Sequence, residues 1–359
     1  MPFPKMTPFR VFRYNKDFPE NYAEIFDNGR IINVSDPSYS GMSSFGGWCN
    51  PDNPRDPVVN LLGEKFEVGY IRYVRSVPAK ALKFAVNKAV EKERDATGKR
   101  VVSRARKKEI KEEIKLRMLS RTPVQPTITR IEVNPSAMEI TAFSSSNAVL
   151  EDIEDLMKRD FGISMFMETV VDYLPTDDMV EVEGVGENFL TWLWYISESD
   201  SFNVFESRKM PSKRYTVSPD DRVIVGNAVT GRCSVSGDIR EAKNGVFNGK
   251  NVTQFSFVLY PDQDGIESHI PIPCVVNSGC LVDKISFKAL PFSDGGDESE
   301  IEADALMCLD VIDDVRDFLK TAFSRFWEDY SNAEKWESIK HEIWMWARGD
   351  VCIRTFEGV

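Results

Sequence analysis

Apolar positions along this chain switch between two periods, and the switches outline its elements. Phe9 to Tyr14 and Phe66 to Val77 alternate apolar and polar residues as strands with one buried face do, with Phe66, Val68, Tyr70 and Arg72 on one side of the second. Asp17 to Phe26 predicts a helix, with Pro19 near its start. Ser35 to Pro57 is rich in Ser, Gly, Pro, Asn and Asp and reads as loop. At Pro78 the period lengthens, and a helix is expected through about Arg94, followed by a turn at Ala96-Thr97-Gly98. Ser103 can cap a second helix running to about Leu119, because its hydroxyl can accept from the first free backbone amides. Pro123 and Pro126 forbid its continuation. Two charged helices joined by a short turn make a projecting helical hairpin.

Beyond the hairpin the pattern shortens again. Thr127 to Val133 and Met138 to Phe143 read as strands around the turn Asn134-Pro135-Ser136. Ser146 can cap a helix through Lys158 with Val149, Ile153, Leu156 and Met157 on its apolar face, and Ser164 to Met167 returns as a strand. This order predicts an α/β layer built jointly from segments on either side of the hairpin. Phe189 to Ile196 is a dense apolar run, helix or buried strand. Strands are expected at 222–229, 252–260, 269–276 and 281–287, with a short helix at 239–244. Asp294 to Asp304 reads as an acidic linker or loop. Ala305 to Arg325 reads as an amphipathic helix, and Asn332 to Arg348 as a Trp-rich helix ended by Gly349. The fold class is therefore α+β. Four regions are expected: 1–77 with 127–172 as a central α/β region, 78–126 as the basic hairpin, 173–296 as β-rich, and 297–359 as helical.

Charge changes this picture most. The whole chain is acidic, at −12, which argues against a polyanionic partner. Yet 18 of the 45 lysines and arginines, and only 6 of the 57 acids, lie between Ile71 and Arg130. That stretch carries +12 and the remainder −24. Asp172 to Asp200 holds eight acids and no base. Such sorting suits a protein with one cationic face on an anionic, soluble body. Arg104, Lys108, Lys111 and Lys115 fall within an arc of about 60° on a helical wheel. Lys99, Arg100, Arg106 and Lys107 crowd the same end. A rigid row of cations can neutralise several phosphates and release their counterions. These eight residues are the DNA-binding candidates. The blander alternative is a solvated helix face on which Glu109, Glu112 and Glu113 pair with neighbouring lysines.

Other chemistry is sparse. Six scattered cysteines without a Cys-x-x-Cys suit reduced thiols in a cytosol better than a disulfide frame or zinc site. The N-terminus lacks a signal-peptide core, and no apolar run reaches the ~18–20 residues of a membrane span. The densest acidic group with a histidine is Asp262, Asp264, Glu267 and His269, which could hold a nuclease's divalent cation. Asp262-Gln-Asp264-Gly265 reads more simply as a hairpin turn. Gly184-Val-Gly186 lacks the third glycine of a dinucleotide loop, and His341 lies on a Trp-rich helix rather than beside a nucleophile. No catalytic residue, metal site or cofactor is expected. Trp192 and Trp194 read as core; Trp336, Trp344 and Trp346 are core or interface residues.

Residues 85–93 and 107–114, Met118-Leu-Ser-Arg-Thr-Pro, the Thr127–Phe143 and Asn147–Asp152 stretches and Phe45-Gly-Gly-Trp48 together resemble the RdgC family. Phe189-Leu-Thr-Trp-Leu-Trp, 241–250 and Ala305–Asp310 are similar to later parts of divergent members. The resemblance implies a horseshoe-like subunit that pairs into a ring-shaped homodimer. Double-stranded DNA would pass through it without sequence reading, restraining RecA-type recombination indirectly through the DNA. It implies a cytoplasmic, nucleoid-associated protein. Members have also been labelled exonucleases, so a metal-dependent DNA exonuclease is one alternative. A non-catalytic protein-interaction factor that uses the hairpin against an acidic partner is another. The long N-terminal loop, the Pro-rich 121–126 stretch and the Trp-containing C-terminus depart from the family pattern.

Overall fold

A computed structural model describes residues 6–31, 34, 39, 42–98, 101–174, 183–198, 203–227, 231–236, 240–263, 266–267, 270–279, 281–292 and 298–349. The fold is α+β. The chain forms two compact units, one from Arg13 to Met165, the other from Met1–Phe12 and Phe166–Val359.

In chain order the elements are β1 (Thr7–Pro8), β2 (Arg10–Tyr14), α1 (Tyr22–Asn28), β3 (Ser44–Cys49), β4 (Asn60–Leu62), β5 (Lys65–Val74), α2 (Ala79–Thr97), α3 (Arg104–Leu119), β6 (Gln125–Asn134), β7 (Glu139–Ala142), α4 (Asn147–Phe161) and β8 (Met165–Met167). There follow α5 (Val185–Ser197), β9 (Val204–Glu206), β10 (Lys213–Asn227), β11 (Gly231–Ser236), α6 (Arg240–Phe247), β12 (Asn251–Gln263), β13 (Ile266–Glu267), β14 (Ile272–Asn277), β15 (Leu281–Ile285), α7 (Glu298–Tyr330) and α8 (Ala333–Arg348).

One sheet runs β3-β5-β6-β7-β2-β8, with β4 on β5, so strands from both sides of the α2–α3 hairpin are hydrogen-bonded neighbours. β5 and β6 pair antiparallel over nine residues, from Phe66↔Val133 to Val74↔Gln125, and this long ladder carries the hairpin at its end. Under the sheet, Phe26 of α1 meets Phe161 of α4, Trp48 and Phe66, with ring centroids 4.5–6.1 Å apart. Tyr70 donates its hydroxyl proton to Asp152 of α4 at 2.7 Å, and the same carboxylate holds Arg72 at 3.2 Å.

β3 corrects an expectation, since it lies inside the stretch read as loop. Its glycines hid the strand period, and packing explains them. A Cβ at Gly46 would collide with the Tyr70 ring, and one at Gly47 would stand 2.8 Å from the Gly29 carbonyl oxygen. Trp48 then donates its indole N–H to Asp160 at 2.8 Å. Phe45-Gly-Gly-Trp48 is thus a packing device that lets an edge strand approach closely.

The other sheet runs β1-β15-β14-β12-β10-β11, all antiparallel, with β9 on β10 and β13 on β12. Its core gathers Phe255 and Phe257 with Phe318 of α7, while Phe189 and Trp192 of α5 pack on Phe323 and Phe326. The dense run at Phe189 is a helix. A second correction falls on the acidic stretch, where α7 already begins at Glu298. Acids favour a helix N-terminus because they face the positive end of its dipole, so a run that looks like a linker can start a helix. A third is β10, which begins at Lys213, nine residues before the expected strand.

Candidate nucleic-acid interface

The hairpin forms because each helix has a seam of small apolar residues for the other. On α3 the buried residues are Ile110, Ile114 and Leu119, and Ile110 and Ile114 stand one turn apart. On α2 Leu82, Ala85, Val86, Ala89 and Val90 are half-buried, and no residue of α2 is fully buried. The helices pack on each other, and on no other element to a comparable extent. Gly98, at φ 64°, ends α2 in the left-handed conformation. Ser103 accepts from the Arg106 amide at 3.2 Å and opens α3.

The cationic candidates divide into three groups. Arg104, Lys107, Lys108, Lys111 and Lys115 are exposed, and their side chains have no ion-pair partner among the described residues. Lys107 widens the arc they share to about 100°, still one flank of the helix. Arg106 is different. Its guanidinium hydrogen-bonds Glu93 of α2 and Glu109, each at 3.0 Å, and lies 3.9 Å from Glu113. These acceptors, Glu93 foremost, hold its pKa above the ordinary value. Arg106 therefore ties the hairpin's helices together and is withdrawn from the cationic flank. Lys99 and Arg100 lie outside the described residues.

Energetics of the helix sharpen the picture. The first turn of α3 contains Arg104, Arg106 and Lys107 and no acid. Cations there face the positive end of the helix dipole, at a cost of some tenths of a kcal/mol each. Helix stability would favour the opposite arrangement. Arg104 and Lys107, unlike the paired Arg106, therefore stand against local helix stability.

Sequence reasoning missed two neighbouring features. At the hairpin's root, Tyr39, Phe45 and Tyr73 form a near-parallel stack, at 4.2 and 5.2 Å between successive centroids, with the Arg75 guanidinium 5.4 Å over Phe45. The pairing Phe45↔Tyr73 in β3–β5 creates it, and reading 35–57 as loop concealed it. On α2, Phe84 is 72% exposed on the face opposite the apolar seam, with Lys80 and Lys88 one turn to either side. A helical wheel of α2 would have found it.

Of the acidic group at 262–269, Asp262 and Glu267 are among the described residues. Asp262 pairs with Glu267 and Gln263 with Ile266 across the antiparallel strands β12 and β13. Asp264 and His269 lie outside the described residues. Among the described residues no group of three or more His, Cys, Asp or Glu could hold a metal ion. No described helix is long and apolar enough to cross a membrane.

A helical hairpin with a cationic flank, in an otherwise acidic chain, is an arrangement suited to a polyanionic partner. Residues 8–181 match the model of a family described as "Putative exonuclease, RdgC". That stretch, just under half of the chain, includes the whole hairpin and supports membership of the RdgC family. The family is one of recombination-associated DNA-binding proteins. No curated protein matches the chain.

Proposed function

We propose that this protein grips double-stranded DNA without reading its sequence, through the cationic flank of α3, and so modulates recombination. The observation that carries this is the alignment of Arg104, Lys107, Lys108, Lys111 and Lys115 on one exposed, unpaired arc. Such an arc meets phosphates at regular spacing and presents nothing shaped to distinguish base edges. Bound duplex would be less available to a RecA-type recombinase, which need not be touched directly. A homodimer would present two such flanks to one duplex, and the protein would associate with the nucleoid. The test is binding of two unrelated duplexes of equal length by the native protein and by a variant with Arg104, Lys108, Lys111 and Lys115 changed to Glu. Equal affinity of the native protein for both duplexes, abolished in the variant, is the expected result.

The family's description favours a second reading, a metal-dependent exonuclease. It requires shortening of end-labelled duplex with Mg²⁺ or Mn²⁺. It also requires that Asp262→Asn with Asp264→Asn stops the shortening.

A further inference from the structure

The sheet that carries the hairpin has a second face, and a buried charge cluster lies on it. Along β5, Phe66 and Tyr70 turn to α1 and α4, so alternation turns Glu67 and Gly69 the other way. Glu67 stands opposite Glu132 of β6 and Asn60 of β4, and Gly69 opposite Arg130. Like charges directly opposite destabilise a strand pair, and both of these glutamates are buried. Arg130 donates to Glu67 at 2.5 Å and Lys65 to Glu132 at 2.8 Å, yet one Glu67 oxygen has no hydrogen-bond partner among the described residues.

A loop closes over this cluster. Residues 50–59 join β3 to β4, and within them Asp52 accepts from the Arg130 guanidinium and, at 3.2 Å, from the Asn60 side-chain amide. Pro51 packs so closely that its Cα would stand 3.1 Å from a Cβ at Gly69. Asn50 accepts from the Asp52 and Asn53 backbone amides at 2.9 and 3.0 Å, which folds the loop back on itself. Its later half is held otherwise. Arg30 donates to the Pro54 and Asp56 carbonyls at 2.8 and 2.5 Å, and the Val58 amide donates to Asp27 at 3.1 Å. Residues 51–53 therefore depend on the cluster, and residues 54–58 on the end of α1.

Two cations, Arg130 and Lys65, face three carboxylates, Glu67, Glu132 and Asp52. The cluster is one charge negative when all are ionised and neutral with a proton on Glu67. A net charge in a site shut off from water is unfavourable. Asp52 is the member that water reaches, its side chain 42% exposed against 2% for Glu67. We propose that residues 51–53 are a proton-controlled strap: with Glu67 protonated Asp52 stays on Arg130 and the strap is closed, and with Glu67 ionised Asp52 lets go and the strap lifts from Gly69. Burial, against the pull of Arg130, pushes the Glu67 carboxyl up to about 7 in the closed form. Lifting the strap admits water and leaves Arg130 undivided to Glu67, and both effects lower that value. The closed form thus holds the proton more tightly, is favoured at low pH, and gives way as pH rises to about 7. The Cys49 thiol, opposite Gly69 on the same face and pushed up to about 12 by burial, stays neutral throughout. The strap is independent of the DNA-binding reading and is tested without nucleic acid.

The test is amide hydrogen exchange on the full chain between pH 5 and 8, each rate divided by the intrinsic rate at that pH. The Asp52 and Asn53 amides, which donate to Asn50, report the strap. In the native protein their protection should fall about ten-fold for each unit by which opening lowers the Glu67 value, and level off above about pH 7. β6 and α4 should remain protected at every pH, which marks the opening as local. Glu67→Gln cannot ionise and should keep the strap closed across the range. Asp52→Asn, a change on the surface loop, leaves Arg130 with one carboxylate to serve and should flatten the pH dependence too, so the test stands even where Glu67→Gln fails to fold. Protection at 52–53 that ignores pH in the native protein overturns the strap. So does native pH dependence in either variant, which would place the sensing group elsewhere. Loss of protection in the loop, β6 and α4 together would also overturn it, because the proton would then control the whole unit rather than the strap.

Discussion

At the scale of single residues, the sheet that carries the hairpin holds one acid in an unfavourable place. Glu67 is 2% exposed, and burial pushes its carboxyl up to about 7 against the pull of Arg130. Arg130 bridges Glu67, at 2.5 Å, to Asp52, while Glu132 takes Lys65 at 2.8 Å. One Glu67 oxygen is left without a hydrogen-bond partner. The folded protein thus holds the Glu67 proton more tightly than the unfolded chain, where the carboxyl titrates near its ordinary 4.5. The stabilising proton is fully bound in the fold below about pH 4.5 and is lost as pH rises through about 7. The shift corresponds to on the order of 3 kcal/mol. Denaturant melts at pH 5 to 8 should show stability falling with pH, and Glu67→Gln should flatten that slope; an unchanged slope would assign the effect to another group. Gly46 makes a different point. Gly46→Ala drives a methyl into the Tyr70 ring and should lower stability by about 2 kcal/mol, read as an earlier urea midpoint. Such requirements are not visible in sequence. A glycine inside a Ser- and Pro-rich stretch signals a loop until the ring it must clear is known, which is why β3 was not expected.

At the scale of elements, the hairpin is the part most legible from sequence and the part least supported by its surroundings. Its apolar period, the Ser103 cap and the Gly98 stop are all local signals, and the structure uses all three. The exposed cations were legible for the same reason: a helical wheel needs no tertiary information. Arg106 was not, because its acceptor Glu93 lies across the hairpin and only the packed seam brings the two together. β10 was under-read by nine residues because Asp220 and Asp221, both in the strand, look like a turn when read alone. Since α2 and α3 pack chiefly on each other, removing seam volume should loosen the hairpin alone. Ile114→Ala should cost about 2–4 kcal/mol of local stability. Hydrogen exchange should then speed up over residues 79–119 while β5, β6 and α4 keep their protection. Global loss of protection would show that the hairpin is part of the unit's core.

At the scale of the whole chain, the sorted charge is the feature that any account of function must use. In the proposed function an acidic body would repel nucleic acid and the cationic flank would attract it, which would favour one docking geometry over indiscriminate adhesion. Ionic strength therefore reports directly on the flank. Each phosphate neutralised on duplex DNA contributes about 0.9 to the slope of log affinity against log salt concentration. The most direct measurement is that slope for a fluorescent duplex, native protein against a variant with Arg104, Lys108, Lys111 and Lys115 changed to Gln. The account predicts weaker binding at every salt concentration and a slope shallower by about 3–4. Native slope and affinity in the variant would contradict it, and would show that phosphates are held elsewhere on the protein.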